Sequence, residues 1–562
     1  MRKLLLAGAA AVIATSACIK IDNSLGKGLV DKALLYDTYT EEFPLENITM
    51  KRSEDLSGYS SSRVVVGAIR DDVFGLSTRE SAFTLVPALD TLNLGTNPKI
   101  VSLDLYFASD SISCADDSQA RIMQNLYVTE LTSKLDPTAT STTTSTTTSI
   151  PHGDQLITDG LPVLNGSGAM QFTFTKEFGQ KYLDKLKAFA PDGIMVDRSW
   201  DDDAIKTRFD SFVDALPGIH LRTDEPSGNG GRINLYELSC LSISSNQYYR
   251  NNNVAYLQYT NDEVAGKDTT LIILLIPGEM TFIDEAASIE DNKKFAQYAF
   301  NRTTHSLPEG DPGATLLVEG GAGLKPVISA KELQAKTRQA IEAKGGTIDN
   351  TVISKATIVL PYDMPANYLD MKYFPSILSP TIRNTVKDDD GNSYIQFAGL
   401  TDASVSTENQ GDIDRSNLMY SPDITYHLQE ILKRTDLDTA TNADIWLLTI
   451  FTETVEETNG NAADNAYLQQ LLYASYYNSL YGGGYGGYGG YGYGGYGYGG
   501  YGSSYSNYYT YAMLAQMMSM NSQSTYTTNT ELDKDRYYRG ILCGPSASRK
   551  PTFRVTFAIS KE

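Results

Sequence analysis

The side chains that most often carry out acid–base or nucleophilic chemistry are sparse in this sequence of 562 residues. Only four histidines occur, and none lies in a His-Glu-x-x-His motif or beside a cysteine. The chain contains neither the Gly-x-Ser-x-Gly sequence of a nucleophile elbow nor a Walker phosphate-binding loop. His427 lies in a segment with helical periodicity, and we interpret it as a packed core residue. The sequence therefore predicts a protein that is not an enzyme and has no cofactor.

Three short motifs suggest ligand binding, but each has a simpler structural interpretation. The Gly-rich run 319–323 lacks the spacing of a dinucleotide loop, so we interpret it as a β-turn that requires positive φ. In residues 388–392 the glycine occupies the fourth place instead of the sixth place of a Ca²⁺ loop, which favours a hairpin turn. The acids that follow Trp200 suit a helix N-terminus, where the helix dipole favours negative charge. We therefore predict no metal site.

Cys18 is the residue whose position does predict a chemical modification. It follows a basic start, an apolar run at 4–13 and several small residues, which is the order of a secretory signal peptide. The sequence Thr15-Ser16-Ala17-Cys18 resembles the lipobox of bacterial lipoproteins, in which the cysteine thiol is diacylated and the preceding peptide is removed. The alternative is an ordinary signal peptide whose cysteine is incidental.

Lipidation of Cys18 predicts a chain that is tethered to a bilayer without crossing it. Two or three acyl chains give stable anchoring, and no later segment approaches the ~18 consecutive apolar residues of a membrane span. We therefore predict a signal peptide at 1–17 and a lipidated linker at 18–32. Loss of Arg2 and Lys3 changes the net charge from −22 to −24, so the body should stand off an anionic leaflet.

Composition excludes nucleic acid as the main partner. The chain has 68 acidic residues against 46 Lys plus Arg, whereas binding a phosphate backbone requires a basic face. The remaining cysteines, Cys114, Cys240 and Cys543, have no Cys-x-x-Cys spacing. Two interpretations of these three cysteines stay open. They form either one disulfide and one buried thiol or three buried thiols.

Hydrophobic alternation predicts a chain built mostly of short β-strands. Such strands, bounded by turn signals, are predicted throughout the chain. Two of them, 382–387 and 393–398, flank the predicted hairpin turn at 388–392. The predicted strands are 63–69, 101–107, 125–131, 254–259, 270–276, 315–318, 356–360, 382–387, 393–398 and 554–559. Many short strands with few helices indicate β-sandwich-like or barrel-like domains.

Few helices are predicted, and all of them are short. Amphipathic patterns indicate helices at 175–187 and 203–216, the second with an apolar stripe that includes Phe209 and Phe212. A capping box predicts a third helix from Ser329 to the glycines at 345–346. A fourth helix is predicted to begin at 421–423, with proline in its first turn.

These patterns predict a mainly β fold with two β-sandwich-like domains and a few short helices. A polar stretch near 262–268 sets the boundary between an N-terminal β-rich domain at 33–262 and a C-terminal one. The C-terminal domain comprises 263–464 and 531–562, because the predicted final strand follows an inserted tract. The Ser/Thr-rich run 138–149 is interpreted as a surface loop, with a glycosylated stalk as the alternative.

The inserted tract at 465–530, here called the Gly/Tyr tract, has no charged side chain, 17 Tyr and 14 Gly. Glycine at this density costs too much backbone entropy for a helix or an ordinary strand, so we expect a disordered insertion. A protein-contact element is a second interpretation, because Tyr and Met are enriched in interface cores. Glycan stacking or insertion at a membrane interface is a third. The candidate partner-binding residues are Tyr485, Tyr488, Tyr491, Tyr496, Tyr501, Met513, Met517 and Met518.

Several segments outside the Gly/Tyr tract resemble one protein family. They are Cys18 with its polar lead, 64–67, 72–75, 317–324, 353–360 followed by Pro361 and Pro365, and 421–432. Together they resemble an uncharacterised family of Bacteroidota outer-membrane lipoproteins, over about 18–460 and the closing strand. The resemblance implies an outer-membrane location and an envelope role, as a surface lipoprotein accessory to an outer-membrane protein machine such as β-barrel assembly.

We therefore expect a lipid-anchored outer-membrane lipoprotein that faces the cell surface and acts as a non-enzymatic protein-interaction subunit. Its expected partners are outer-membrane proteins of the β-barrel machinery, with the lipid bilayer bound through acylated Cys18. The alternative hypothesis is a surface glycan-binding lipoprotein that uses exposed aromatic residues, Trp200 among them.

The anchor can be tested directly. Substitution Cys18→Ala should abolish palmitate incorporation and globomycin-sensitive processing, because the variant lacks the thiol that receives the acyl chains. Metabolic labelling with radioactive palmitate measures the first effect, and precursor accumulation under globomycin measures the second. Unchanged labelling of the variant would contradict the assignment.

Overall fold

The computed structural model describes residues 36–457, 497–498 and 525–561, apart from short internal gaps. The gaps are 55, 57, 61–62, 86–91, 136–148, 196, 198, 238–240, 245–246, 251–253, 264–268, 275–277, 283–292, 298, 388–392, 407 and 438–442. The predicted hairpin turn at 388–392 and most of the Ser/Thr-rich run lie outside the described residues, as does nearly all of the Gly/Tyr tract.

The described chain is mostly β, which confirms the predicted fold class. The strands in its first half are β1 (Tyr36–Pro44), β2 (Ile48–Arg52), β3 (Tyr59–Ser60), β4 (Arg63–Asp71), β5 (Gly75–Phe83), β6 (Lys99–Phe107), β7 (Ser109–Cys114), β8 (Gln124–Leu131), β9 (His152–Leu156), β10 (Val163–Leu164), β11 (Met170–Thr173), β12 (Ile219–Thr223), β13 (Gly230–Glu237), β14 (Leu241–Ser244), β15 (Gln247–Arg250), β16 (Val254–Thr260), β17 (Thr269–Leu274), β18 (Gly278–Phe282) and β19 (Lys293–Gln297).

The second half continues in the same way. Its strands are β20 (Ala299–His305), β21 (Thr315–Glu319), β22 (Leu324–Ile328), β23 (Thr351–Pro361), β24 (Ile377–Lys387), β25 (Ser393–Gly399), β26 (Ile413–Asp414), β27 (Met419–Tyr420), β28 (Ile445–Glu457), β29 (Gly497–Tyr498), β30 (Thr525–Leu532), β31 (Arg539–Cys543) and β32 (Thr552–Ser560). The predicted pair at 382–387 and 393–398 forms the antiparallel pair β24–β25.

The helices are α1 (Lys176–Phe189), α2 (Asp202–Ala215), α3 (Ala330–Ala343), α4 (Asp402–Val405) and α5 (Thr425–Ile431). The first two match the prediction, and the side chains of Thr175 and Asp201 cap their N-termini. The capping box of α3 forms only in part. Ser329 accepts a hydrogen bond from the Glu332 amide, whereas the Glu332 carboxylate accepts from the backbone N–H groups of residues 46 and 47.

The predicted start of the last helix is wrong by four residues. Residues 421–423 do not open the helix, because Pro422 and Asp423 pair with β23 through the Ile358 amide and a bridge to Thr357. The N-terminus of α5 is instead capped from a distance by Asp402, whose carboxylate accepts from the amides of residues 426 and 427.

Two large hydrophobic cores organise these elements. In the first, α1 and α2 pack against strands that include β6, β8, β12 and β16. In the second, α3 and α5 pack against strands that include β22, β23, β28 and β32. Each helix buries one apolar stripe, as Phe209 and Phe212 of α2 show.

The strand pairing crosses the predicted domain boundary at 262–268. Strands β1 and β2 belong in sequence to the first domain, but they pair with β32 and β22. Conversely, β20 follows the boundary and pairs with β5 of the largest sheet. Long-range register, which the local pattern does not encode, therefore places β1 and β32, the first and last strands of the described residues, beside the second core.

Strand β32 holds the end of the chain within the second core. It pairs with β1 on one side and with β23 on the other. Its inward residues, among them Val555 and Phe557, are fully buried, while Arg554 points outward and pairs with Glu42. Strand β1 has no fully buried residue. At this edge of the sheet, the side chains buried in the second core therefore come from β32.

Substitution Phe557→Ala should destabilise the protein by about 3–5 kcal/mol, because it removes a large buried side chain and leaves a cavity. The midpoint of guanidinium-induced unfolding of the second core measures the effect. The control Arg554→Ala, three residues away on the outward face, should change the free energy of unfolding by less than about 1 kcal/mol. Equal effects of both substitutions would contradict the assigned faces.

Candidate functional site

Strands β28 and β30 continue their pairing past the point where β24 stops pairing with β28. Strand β24 pairs with β28 only as far as Ile450, whereas β30 pairs with β28 from Ile450 to Glu457. The partner residues run from Leu532 back to Thr525 in antiparallel register. We call residues 450–457 and 525–532 the ribbon. The ribbon brings the two ends of the intervening chain segment 458–524 together at the pair Glu457–Thr525.

The predicted contact residues all lie in the segment 458–524, between the two strands of the ribbon. Tyr485, Tyr488, Tyr491, Tyr496, Tyr501, Met513, Met517 and Met518 lie outside the described residues, as does Cys18. Within this segment the structure describes the backbone of β29, which pairs with Phe397 and Ala398 of β25. These site predictions stay predictions, while the ribbon shows that residues 457 and 525, which flank this segment, are paired with each other.

A buried aspartate fixes the base of the ribbon. The backbone of Asp533 exchanges hydrogen bonds with Thr449 of β28, at 3.0 and 3.2 Å. Its carboxylate accepts from the Tyr538 hydroxyl at 2.5 Å and from the Arg536 amide at 3.0 Å. The Arg536 guanidinium lies 3.5 Å from the centre of the Phe451 ring, within cation–π range. The ribbon is therefore tied to the chain segment that follows it.

Around this base, six charged or titratable side chains lie buried together. We call them the charged seam because they come from both halves of the chain. Its members are Arg79 of β5, His305 of β20, Glu319 of β21, Lys325 of β22, and Asp533 and Asp535 beyond the ribbon. Burying charges costs several kcal/mol per ion unless they are paired and hydrogen-bonded, so their contacts decide whether the arrangement is stable.

The Lys325 ammonium is satisfied entirely by backbone carbonyls. Its Nζ donates to the oxygens of Glu319, Gly321 and Gly323, at 2.6, 2.9 and 3.3 Å. These three bonds use all the donors of an ammonium group. Burial lowers the pKa of Lys325 to about 7, although attraction to Glu319 opposes this effect.

Glu319 and His305 form the hydrogen-bonded pair at the centre of the seam. His305 Nδ1 lies 3.0 Å from Glu319 Oε1, and the Leu324 amide donates to Oε2 at 2.9 Å. Burial by itself would raise the pKa of Glu319, but His305, the Leu324 amide and Lys325 together hold it below its ordinary value. Burial lowers the pKa of His305. The Glu319 carboxylate is therefore held between the Leu324 amide and the His305 ring.

Arg79 supplies the cation from the other half of the chain. Its Nη1 donates to Ser77 Oγ and to the Thr78 carbonyl, at 2.9 and 3.0 Å. Its Nε and Nη2 are buried without a hydrogen-bond partner in the described part of the chain. Burial lowers the pKa of Arg79 to about 10, against the attraction of Glu319, Asp535 and Asp533. Arg79 thus contributes to the seam mainly through its positive charge and less through hydrogen bonds.

The turn at 319–323 shapes the seam, and the prediction of a turn with positive φ is confirmed. Gly321 has φ of +56°, and the Gly323 amide donates to the Gly320 carbonyl at 3.1 Å. A Cβ at Gly320 would lie 2.0 Å from the Arg536 carbonyl oxygen, and one at Gly321 would lie 2.9 Å from Arg79 Nη2. Gly320 therefore permits the close approach of the segment after the ribbon, and Gly321 permits that of Arg79.

The other histidines lie away from the seam. His220 is buried and stacks on His152 with ring centres 4.1 Å apart, and its Nε2 lies 3.3 Å from Glu80. His427 is buried in the second core, where burial lowers its pKa to about 4. This agrees with its interpretation as a packed core residue. Among the described residues, no group of three or more His, Cys, Asp or Glu could hold a metal ion.

Two of the remaining predictions concern cysteine and tryptophan. Cys114 and Cys543 are buried free thiols, while Cys240 lies outside the described residues. Trp200 is only partly exposed and packs against the first core, with the Arg208 guanidinium 5.8 Å from its ring centre. The acids after it begin α2, as the sequence indicates.

Comparisons of the chain with protein-family models, curated proteins and solved structures found no match. Throughout the described ranges, every helix is too short or too polar to span a bilayer.

Glu319→Gln should destabilise the fold by about 3–5 kcal/mol, because it leaves buried cations without their carboxylate. The ionised side chain stabilises the native state at pH above its ordinary pKa of 4.5, and this contribution is lost as the pH falls through the lower folded-state value. Chemical unfolding of both proteins at several pH values measures the effect. Acidification should lower the free energy of unfolding of the variant by less than it lowers that of the wild type.

The matched control is Asp311→Asn, which neutralises an exposed acid near the same turn. It should change the free energy of unfolding by less than about 0.5 kcal/mol. A Glu319→Gln protein as stable as this control would show that the seam does not depend on the carboxylate.

Proposed function

We propose that the chain is a lipid-anchored, non-enzymatic protein-interaction subunit of an outer-membrane complex, and that it binds its partner through the Gly/Tyr tract. The observation that supports this proposal best is the ribbon, whose ladder ends at the pair Glu457–Thr525. A tract held at both ends by paired strands is presented at a defined place, whereas a terminal tail is not.

The base of the ribbon adds to this argument. Asp533 ties the returning strand to Thr449, and Arg536 packs over Phe451. Binding elements are best presented by rigid scaffolds, since a rigid support limits the entropy lost on association. The ribbon meets this requirement at the point where the tract begins and ends.

The composition of the tract fits a protein partner. It has no charged residue, whereas the mature body carries a net charge of −24. Tyr and Met are enriched in the cores of protein interfaces, where charged residues are depleted. A neutral, aromatic and thioether-rich element on an acidic scaffold is therefore suited to protein contact.

The proposed anchor is compatible with the position of β1. Seventeen residues separate Cys18 from Tyr36, and a chain of that length reaches about 60 Å when fully extended. Acylated Cys18 would therefore leave the body free to meet a partner that is embedded in the same membrane. The family resemblance directs the proposal to outer-membrane β-barrel machinery and to the cell-surface face.

Glycan capture through exposed aromatics is the competing proposal. Trp200 packs against the first core, which makes it a poor stacking platform, but Tyr368 and Tyr426 are exposed. Aromatic rings on a surface provide faces on which sugars stack. This alternative predicts retention on polysaccharide, which the protein-contact proposal does not require.

Deletion of residues 481–502 should remove a co-purifying outer-membrane protein while leaving both cores intact, because the deletion takes away only the two-residue edge strand β29 and no residue of the ribbon. Membranes from cells that express the acylated chain or the deletion variant are crosslinked and solubilised in detergent, and the recovered proteins are identified by mass spectrometry. Full-length protein should recover the same partner reproducibly.

The control deletion removes residues 138–148, a second low-complexity segment, and should retain the partner. A lone monomer in both the full-length and the control samples would contradict the proposal. Retention of the full-length protein on a polysaccharide gel, lost with the same 481–502 deletion, would favour glycan capture instead.

A further inference from the structure

A cavity of about 330 Å³ opens on the second half of the molecule, away from the ribbon residues. Its inner wall is formed by Phe374, Leu542 and Cys543, which are buried. Its rim includes Met364, Asp363 and Asp370. This volume lies near the lower end of the range of about 300–1,000 Å³ that is typical of ligand sites. We call this feature the acidic pocket.

The walls of the acidic pocket are held in place by the fold. Strand β31 pairs with β21 along its whole length, from Arg539 to Cys543. The rim segment follows β23, where the Arg549 guanidinium donates to the Tyr362 carbonyl at 3.0 Å. It then enters a short 3₁₀ helix at Tyr368–Tyr373, whose N-terminus is capped by Asn367. The pocket is therefore preformed.

The chain segment that supplies the rim carries exposed apolar side chains. Met364 lines the pocket and is 51% exposed, while Tyr368 and Leu369, between the lining residues Ala366 and Asp370, are 71% and 53% exposed. Isolated exposed apolar side chains are ordinary, but a cluster beside a cavity marks an interaction site. Burial of this cluster by a partner would extend the apolar wall of the pocket outward.

The charges around the pocket favour a cationic partner. Arg539 is engaged with Asp71 and Asp72, at 3.1 and 3.6 Å. The carboxylate of Asp363 is 78% exposed and lies 3.9 Å from Arg549, too far for a strong pair. Asp370 receives a hydrogen bond from the uncharged Asn367 amide. Because its one lining cation is already paired, the pocket has negative charge at its rim.

We infer that the acidic pocket is a docking site for an extended segment of a partner protein in which a large apolar side chain lies next to Lys or Arg. The apolar side chain enters between Phe374 and Leu542, and the cation meets Asp363 and Asp370. A second copy of this chain is a poor occupant, because each mature copy carries a net charge of −24. The site is separate from the Gly/Tyr tract and does not depend on the function proposed for it.

The probe is an array of random dodecapeptides, incubated with the mature acylated protein in detergent. Three variants of the full chain accompany the wild type. Met364→Asp places a charge at the apolar rim, and Asp370→Lys reverses a rim charge. Met123→Asp is the matched control, since Met123 is also highly exposed but does not line the pocket.

Wild type and Met123→Asp should enrich peptides with an apolar residue beside Lys or Arg. Met364→Asp should reduce the signal of these peptides at least tenfold, and Asp370→Lys should shift the preference toward acidic neighbours. Circular dichroism establishes that the variants fold. A variant lacking residues 481–502 should keep the same preference, which separates this site from the tract.

Cys543 provides an internal measure of occupancy because its thiol lines the pocket. Enriched peptides should slow its modification by a small thiol reagent at alkaline pH, while the thiol of buried Cys114 reacts as before. Absence of Cys543 protection, enrichment of acidic peptides by the wild type, or unchanged enrichment by Met364→Asp would each overturn the inference. A dimer that shields Cys543 would also overturn it, in favour of a second copy as the occupant.

Discussion

The buried ammonium of Lys325 is the constraint around which the centre of the molecule is arranged. An unpaired charge in a protein interior is so costly that it must be surrounded by acceptors and opposite charge. The turn at 319–323 supplies three carbonyl oxygens to it, and the Glu319 carboxylate supplies the negative charge nearby. The same turn can approach the segment after the ribbon and Arg79 so closely only because Gly320 and Gly321 have no side chain.

This arrangement links the two hydrophobic cores to the ribbon. Arg79 and His305 enter the charged seam from the largest sheet, whereas Glu319 and Lys325 enter it from strands beside the second core. Asp533 joins the seam as the chain returns from the ribbon and holds Thr449 of β28. The position of the Gly/Tyr tract therefore depends on the same buried electrostatics that join the halves of the chain. The acidic pocket is formed by the strand that follows, β31, and offers a separate surface for recognition.

Much of the secondary structure was predictable because its causes are local. The apolar stripe of α2 and its acidic N-terminus identify a helix, a run of apolar residues identifies β4, and alternation identifies β6 and β8. The error at 421–423 has a tertiary cause. Those residues pair with β23, and the cap of α5 comes from Asp402, twenty-four residues before the first amide that it binds. The charged seam was not predictable either, since no local pattern distinguishes its acids from the other acids of the chain.

The sequence by itself predicted a signal segment and the lipidation of Cys18, and it determined the mainly β fold, the turn at 319–323 and the absence of charge in the tract. Each of these follows from residue type and short-range spacing, which decide local conformation and chemistry. Only the tertiary structure decided that β1 pairs with β32, that β28 and β30 pair on either side of the segment 458–524, and that Arg79 meets Glu319. Those outcomes depend on strand register and burial between residues tens to hundreds of positions apart, where the balance of desolvation and pairing selects the partner.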